Sequence, residues 1–455
     1  MVPVDGQPSI GRMAIPRLHP LRRCARNDNE RATRYPLPVT RHRFSGMTLS
    51  RREFLATSAV AAGGLSVDAD EASAALLPRV SSTQTQRAPR PSEPWLEIDA
   101  AALRQNIKAI ARLAGGRPVI VVAKNNAYGL GLGAVGPIFD GMSEVLAIAV
   151  VRTDEAFALR DAGVRKPVLL MAGVTATELD ELIARDVHVT PLDLALIPEL
   201  SRRARQRGRP AGIHLYVDTG MHRLGVPLAQ APNVIAALAA DKTVRVHGLF
   251  TELTEDVDFD TAQAGRLRAV ADDARQRGIA IGPLHAASSH AVWHIPAAHL
   301  DAVRPGLAVY GGYVSEDARK RGELRAAYRL MAPVVRVERL EKGEGISYHR
   351  RWTATEPTWI ATLPVGHVDG YPSGAVKGGE VLLGGRRYPV VGTVSASHTV
   401  VALGADRVAA PGDVATLVGP DDPAIHPNEV AVRAGWSEYN MFMHLNPLLA
   451  RVVRG

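Results

Sequence analysis

The chain of 455 residues holds one cysteine, Cys24, near its N-terminus. Beyond it no disulfide can form, and no thiolate nucleophile or cysteine-held metal is available. No apolar run reaches the roughly 18 residues that a membrane span needs, so stable membrane insertion is not expected. Internal repeats of solenoid type are absent, which excludes an array fold. Lysine is missing from residues 1–90, where 14 arginines face 7 acids. The remaining chain carries 40 bases and 39 acids, so most of the formal net charge of +8 sits at the N-terminus. A near-neutral folded part argues against a phosphate-backbone binder, and no nucleic-acid partner is expected.

Residues 1–92 read as a disordered leader. Residues 1–46 are rich in Arg and Pro, and translation from Met47 is an equally simple reading. From Ser50 the chain runs SRREFL, then a stretch of small and apolar residues, then Ala72-Ser73-Ala74. This resembles a twin-arginine export signal with its cleavage site, followed by a polar linker over 75–92. The expected location is periplasmic rather than cytoplasmic, by a route that carries folded proteins.

What remains divides at about residue 325. Asp99 is a plausible N-cap for a helix that shows Leu103, Ile107, Ile110 and Leu113 on one face. Apolar runs at 119–123, 145–151, 167–172, 187–191, 213–217, 244–250, 281–286 and 302–309 follow, most of them separated by helical patterns such as 154–162 and 261–277. Eight strands alternating with helices predict a (β/α)8 TIM-like barrel over 93–325, in the α/β class. Short alternating runs broken by glycines at 334–340, 358–364, 380–383, 388–394, 399–403 and 413–418 predict a mostly antiparallel β domain over 326–455.

Barrel chemistry gathers at the C-terminal ends of strands. The first run, VIVVAKNNAYGLG (119–131), ends there on Lys124. By position alone a rim lysine that snorkels to solvent is a commoner reading than a catalyst. Burial disfavours the ammonium form of a lysine, and a neutral amine condenses with an aldehyde.

The stretch resembles the pyridoxal-phosphate lysine signature of alanine racemases, and further segments match that family in order. They are YVDTGMHRLG (216–225), HAASSHA (285–291), VRPGLAVYG (303–311), GISYHRRW (345–352) and GHVDGYP (366–372). The resemblance covers about residues 94–455. It implies pyridoxal 5'-phosphate as cofactor, an amino acid as the small-molecule substrate, and a homodimer with shared sites. Lys124 would hold the cofactor covalently and exchange the α-proton on one face. Tyr348, contributed by the partner subunit's β domain in this family, would be the base on the other. Arg304 would face the pyridine nitrogen. Ser289, the backbone N–H groups of Gly306 and Leu307, and Tyr128 would hold the phosphate, with Arg223 near the ring oxygen and the substrate carboxylate.

The pattern is not kept everywhere. Asn125 and Leu130 replace alanine and histidine beside the lysine, and Tyr216 replaces a lysine that braces the motif arginine. Glu252 stands where a histidine usually backs the ring-facing arginine; a carboxylate there is expected to pair with Arg304 still. His367 replaces a gate tyrosine. In TVSASHTVV (393–401) Ala396 takes the place of a methionine whose backbone N–H meets the substrate. If Arg451 is the last motif arginine, Pro447 stands in place of a phosphate-binding tyrosine, and that contact is missing or supplied otherwise. A wider mouth suggests that larger or basic amino acids are accepted and that alanine is not the best substrate.

Three other readings fit the architecture. A decarboxylase of basic amino acids of this fold needs a cysteine in the β domain, and none follows Cys24. A metal-assisted D-amino-acid lyase could use His285, His290 and His294, although imidazoles beside a phosphate site usually serve as hydrogen-bonding groups, and no metal is expected. A non-catalytic cofactor carrier would have no need of Tyr348 or of a β domain.

Overall fold

The computed structural model describes residues 88–321 and 323–455. Cys24, the arginine pair at 51–52 and the 72–74 cleavage pattern lie outside the described residues.

Asp99 caps the helix Ala100–Leu113, its Oδ1 accepting the Ala102 N–H at 2.8 Å, and Leu103, Ile107 and Ile110 are buried on the inner face. Seven parallel strands then follow in ring order: Val119–Val122, Val145–Val150, Val168–Leu170, Val187–Val189, Ala211–Asp218, Val244–Phe250 and Leu284–His285. The eighth position is reduced to the bridges His285↔Ala302 and Val119↔Val303, which close the ring. The run 302–309 does not continue as a strand. Pro305 has no amide hydrogen to extend a ladder, and the chain winds into a 3-10 turn at Leu307–Tyr310.

The second layer is a nine-stranded sheet in the order Arg336–Leu340, Thr358–Leu363, Thr399–Gly404, Arg386–Val391, Glu380–Leu383, Val414–Val418, Tyr328–Pro333, Trp95–Asp99, Ala450–Arg454. All of its pairings are antiparallel except the last, between Trp95–Asp99 and Ala450–Arg454. Trp95–Asp99 falls inside the 93–325 segment read as barrel, yet it pairs only in this sheet. An alternating five-residue strand carries no mark of which sheet will take it. Two short helices, Pro427–Ala434 and Glu438–Met443, also interrupt the region read as β.

One apolar core runs through barrel and sheet. Asn106 is the polar clamp at the seam: fully buried, it donates through Nδ2 to Val309 O (3.1 Å) and Arg325 O (2.8 Å) and accepts the Arg325 N–H (2.8 Å). The first helix, the 3-10 turn and the link into the sheet thus share one amide. Replacing Asn106 with alanine strands an N–H and two carbonyls, which costs about 2 kcal/mol. Urea unfolding should register that loss, and an unchanged midpoint would overturn the role given to this side chain.

Candidate active site

Lys124 is half-buried, two residues beyond the end of the strand Val119–Val122. From there the backbone turns left-handed, with φ of 54°, 57°, 55° and 53° at Asn125, Asn126, Ala127 and Tyr128. Such a conformation costs an L-residue roughly 1–2 kcal/mol, and asparagine tolerates it best. The turn is held from both sides. The buried Glu155 carboxylate accepts the N–H groups of Asn126 (2.9 Å), Val151 (3.2 Å) and Arg152 (3.2 Å). Asn126 Oδ1 accepts the Leu132 N–H at 3.0 Å, and Arg451 Nη2 donates to Gly129 O at 2.7 Å.

Tyr128 closes the turn. Its ring stacks on Tyr310 at 4.7 Å, and its phenol abuts Gly306, where a Cβ would overlap the hydroxyl. Burial, with Tyr439 next in effect, pushes that phenol well above its ordinary pKa, so it is a neutral hydroxyl. Beside it Ser289 Oγ accepts the N–H groups of Gly306 (3.0 Å) and Ala308 (3.2 Å), with the half-buried Leu307 between them. Ser289 accepts here, and its own hydroxyl hydrogen is left to donate.

Arg304 is 4% exposed. Its Nη2 donates to Thr251 O and to Glu252 Oε2, both at 2.8 Å, and its Nη1 to His285 Nδ1 (2.9 Å) and His285 O (3.2 Å). The pairing expected of Glu252 with Arg304 is present. The other carboxylate oxygen faces Arg223 at 3.9 Å, so one acid stands between two arginines. The Tyr216 hydroxyl is buried without a partner, and burial, then Glu252, pushes its pKa up to about 12. His285 turns inward to Arg304, while His290 and His294 pair with each other on the short helix Ser289–His294, ring centroids 4.6 Å apart.

Tyr348 and Ala396 stand apart from this group. Tyr348 is 73% exposed, on a segment whose φ is 64°, 61° and 48° at Ser347, His349 and Arg350. Ser347 Oγ accepts the Thr393 N–H at 3.2 Å, His367 N–H donates to Ser395 O at 2.9 Å, and Val368 N–H to Ala396 O at 3.1 Å. The segments bearing Tyr348, His367 and Ala396 are therefore linked at one end of the β domain. Among the described residues, no hydrogen bond or ion pair joins Tyr348 or the Ala396 side chain to the barrel group.

Sequence reasoning missed Tyr439. It enters from the helix Glu438–Met443, its ring centroid 6.0 Å from Lys124 Nζ and 5.7 Å, edge-on, from that of Tyr128. The one hint was the Pro447 departure, which left a contact to be supplied from elsewhere.

These residues fit a phosphorylated pyridine aldehyde. There is an amine at the strand end and a hydroxyl-and-amide cradle in which glycine leaves room only for Tyr128. A buried arginine is already ordered, and the buried Tyr216 hydroxyl has no protein partner.

Comparison with known proteins adds an independent line. Residues 98–314 match the model for the alanine racemase N-terminal domain, and 327–453 that for the C-terminal domain. An alanine racemase of Geobacter sp. (strain M21) is 34% identical over 358 residues, which cover 76% of this chain and 94% of that protein. One of Methanococcus maripaludis is 33% identical over 335 residues, covering 72% and 89%. Among solved structures, alanine racemase of Clostridium difficile 630 has a TM-score of 0.73 at 27% identity, covering 81% of this chain and 97% of that one. Alanine racemase from Streptomyces coelicolor A3(2) has a TM-score of 0.71 at 29% identity, covering 79% and 97%.

A methyl group at position 306 must push Tyr128 out of the cradle. Gly306→Ala should therefore weaken uptake of pyridoxal phosphate by the apoprotein on the order of tenfold. An absorbance titration measures it, and equal affinity in the two proteins would refute the cradle.

Proposed function

The chain belongs to the alanine racemase family, and from that premise we propose that Lys124 and Tyr348 are the two opposed bases of its reaction, with pyridoxal phosphate as cofactor. The enzyme is an isomerase, a racemase of amino acids. What supports the residue assignment is one observation above the others. The turn that carries Lys124 also carries Tyr128, and Tyr128 meets Gly306 beside Ser289 at the mouth of the last barrel strands.

When bound, pyridoxal phosphate would supply an electron sink for the substrate's Cα–H bond. The chain's own residues do the rest. Ser289 through its free hydroxyl hydrogen, Tyr128, and the Gly306–Leu307 backbone, with the Leu307 N–H between the two amides bonded to Ser289, would hold the phosphate. Arg304 presents a cation fixed in orientation, because Glu252, Thr251 and His285 accept from it. Arg223, exposed beside Glu252 at 3.9 Å, would meet the substrate carboxylate. Lys124 Nζ takes or returns the α-proton on one face, and the Tyr348 phenol does so on the other. Two bases on opposite faces invert the centre, whereas one base returning its own proton would not.

Tyr348 is held on an exposed, conformationally costly segment with no bond to the barrel group, which supports a base delivered to a second copy. The working unit in this reading is a homodimer with two shared sites. The exposed Ala396 and His367 leave a mouth that favours larger or basic side chains over alanine. Export by the twin-arginine route rests on the pattern at 50–74 alone, and recovery of the protein from the periplasmic fraction tests it.

Mixing separates the shared site from a site within one chain. Lys124→Ala and Tyr348→Phe are each expected to be inactive as pure proteins. Reassociated in equal amounts, they should regain about a quarter of wild-type activity, because half of the dimers carry one intact pair. No recovery from subunits proven to exchange would sink the shared site. Deuterium wash-in at Cα across a panel of L-amino acids addresses the substrate. Inverted, labelled lysine, arginine or serine should appear faster than alanine, and preference for L-alanine would overturn that choice. Carbon dioxide release would mark a decarboxylase, and no exchange at all a carrier.

A further inference from the structure

His285 does not end at Arg304. Its Nε2 lies 3.1 Å from His214 Nδ1, and His214 Nε2 lies 3.4 Å from His188 Nδ1. All three imidazoles are buried, and His247 stacks on His188 at 4.0 Å with the rings 19° from parallel. The barrel is built around them. His214 registers with Gly248, where a Cβ would lie 2.7 Å from its Nδ1, and a Cβ at Gly212 would overlap the His188 ring. Four histidines from four neighbouring strands thus replace apolar filling with a polar column.

The column has a direction. A guanidinium has no lone pair to offer, so His285 Nδ1 must accept from Arg304 and its proton must sit on Nε2. That N–H donates to His214 Nδ1, which places the His214 proton on Nε2. The same step repeated leaves His188 Nδ1 as the acceptor. Every imidazole is neutral, and every proton points away from the cation.

We propose that His214 and His188 are positioning residues for the racemase reaction: they lock His285 in the tautomer that accepts from Arg304 and so fix the guanidinium in place. The proposal rests on the reading that Arg304 faces the cofactor ring. Neither histidine touches substrate or cofactor, and each acts through the next.

The lock fails from the far end. A proton added at His188 Nδ1 turns an acceptor into a donor opposite His214 Nε2–H. Relief requires His214 to carry its proton on Nδ1, which then opposes His285 Nε2–H. The same shift puts His285 Nδ1–H against Arg304 Nη1–H. One proton enters at His188, and the other two imidazoles keep one each, so an event at the barrel's interior end is felt at the site. Burial opposes that event throughout. It pushes His188 down to about 4, with His247 next in effect, and holds His214 and His285 well below the ordinary range, the latter with help from Arg304. His247 is lowered by burial and by Arg245. Around the His188 end Asp186 raises the value, while Arg160 and Arg209 lower it. The folded values lie below the unfolded one near 6.5. The stability these groups contribute is therefore complete above about pH 6.5 and falls as the pH drops toward 4.

The test contrasts His214→Gln, whose amide both accepts and donates, with His214→Leu, which does neither. In apoprotein labelled with 15N-histidine, wild type and the glutamine variant should show His285 protonated on Nε2, and the leucine variant should lose that fixed tautomer. After reconstitution, kcat should fall on the order of tenfold for leucine with KM nearly unchanged, and glutamine should restore it. His188→Gln, a second variant outside the first contact, should move acid unfolding to lower pH. A wild-type His285 protonated on Nδ1, or leucine and glutamine variants that behave alike, overturns the proposal. Should the tautomers be as stated while Arg304→Gln leaves the reaction untouched, the assignment of Arg304 fails and the proposal that rests on it falls too, though the column itself stands.

Discussion

A buried cation organises the mouth of this barrel. Arg304 is almost wholly withdrawn from water, and its hydrogens find two carbonyl oxygens, a carboxylate and an imidazole nitrogen. An isolated charge there would be untenable, and removing one partner from such a set is more costly than never having built it. The partners come from the residues following Val244–Phe250 and from the strand Leu284–His285. The same bonds that neutralise the guanidinium therefore tie neighbouring strand ends to the chain at 304. They also dictate the polarity of everything behind it, because a donor-only group forces the acceptor role on its neighbour. Glu252 works in the other direction, toward solvent, where it shares its charge with Arg223.

A second constraint sits across the mouth. Four consecutive L-residues in the left-handed region are unfavourable by several kcal/mol if each costs roughly 1–2, and the barrel tolerates them because the turn's polar groups are nearly all engaged. Glu155 alone accepts three backbone N–H groups. Burial raises its pKa and those bonds lower it, with burial the larger effect. The tail closes over the same turn through Arg451, Phe442 and Tyr439. The turn that begins at Lys124, just past the first barrel strand, is thus held by Glu155 from the barrel and by residues of the C-terminal tail.

This explains what could be read from the sequence. The barrel was legible because its seven strands announce themselves as apolar runs; Lys124 and Ser289 follow such runs, and Arg304 and Gly306 lie within the run 302–309, which does not continue as a strand. The pairing of Glu252 with Arg304 followed from charge once their places were known. Trp95–Asp99 was not legible as part of the second sheet, since five alternating residues satisfy either layer. Tyr439 was hidden for another reason: a six-residue helix has too few turns for its pattern to say which side meets the barrel. His188, His214 and His247 look like lone polar residues in strands. Only the register, with a glycine opposite His214 and another against His188, reveals that the imidazoles share one interior.

The histidine column and the Tyr348 segment make opposite uses of unfavourable structure. Inside the barrel, polar groups are admitted only because each donor meets an acceptor; a half-satisfied column would be worse than a layer of valines. Water cannot repair a mistake there, so the arrangement has one stable set of proton positions. At Tyr348 the strain lies in the backbone, at three non-glycine residues with positive φ, and in full contact with solvent. Among the described residues the segment is held by the Thr393 N–H on Ser347 Oγ, the Arg350 N–H on Ser347 O and Arg350 Nη2 on Gly343 O. Strain kept at an exposed tyrosine is intelligible when a second surface makes use of the fixed phenol. In the proposed two-base reaction the column keeps one half of the site rigid within the chain, and the strained segment would present the other half to a second copy. A two-base reaction needs both, because inversion depends on the two proton carriers being fixed on opposite faces before the substrate arrives.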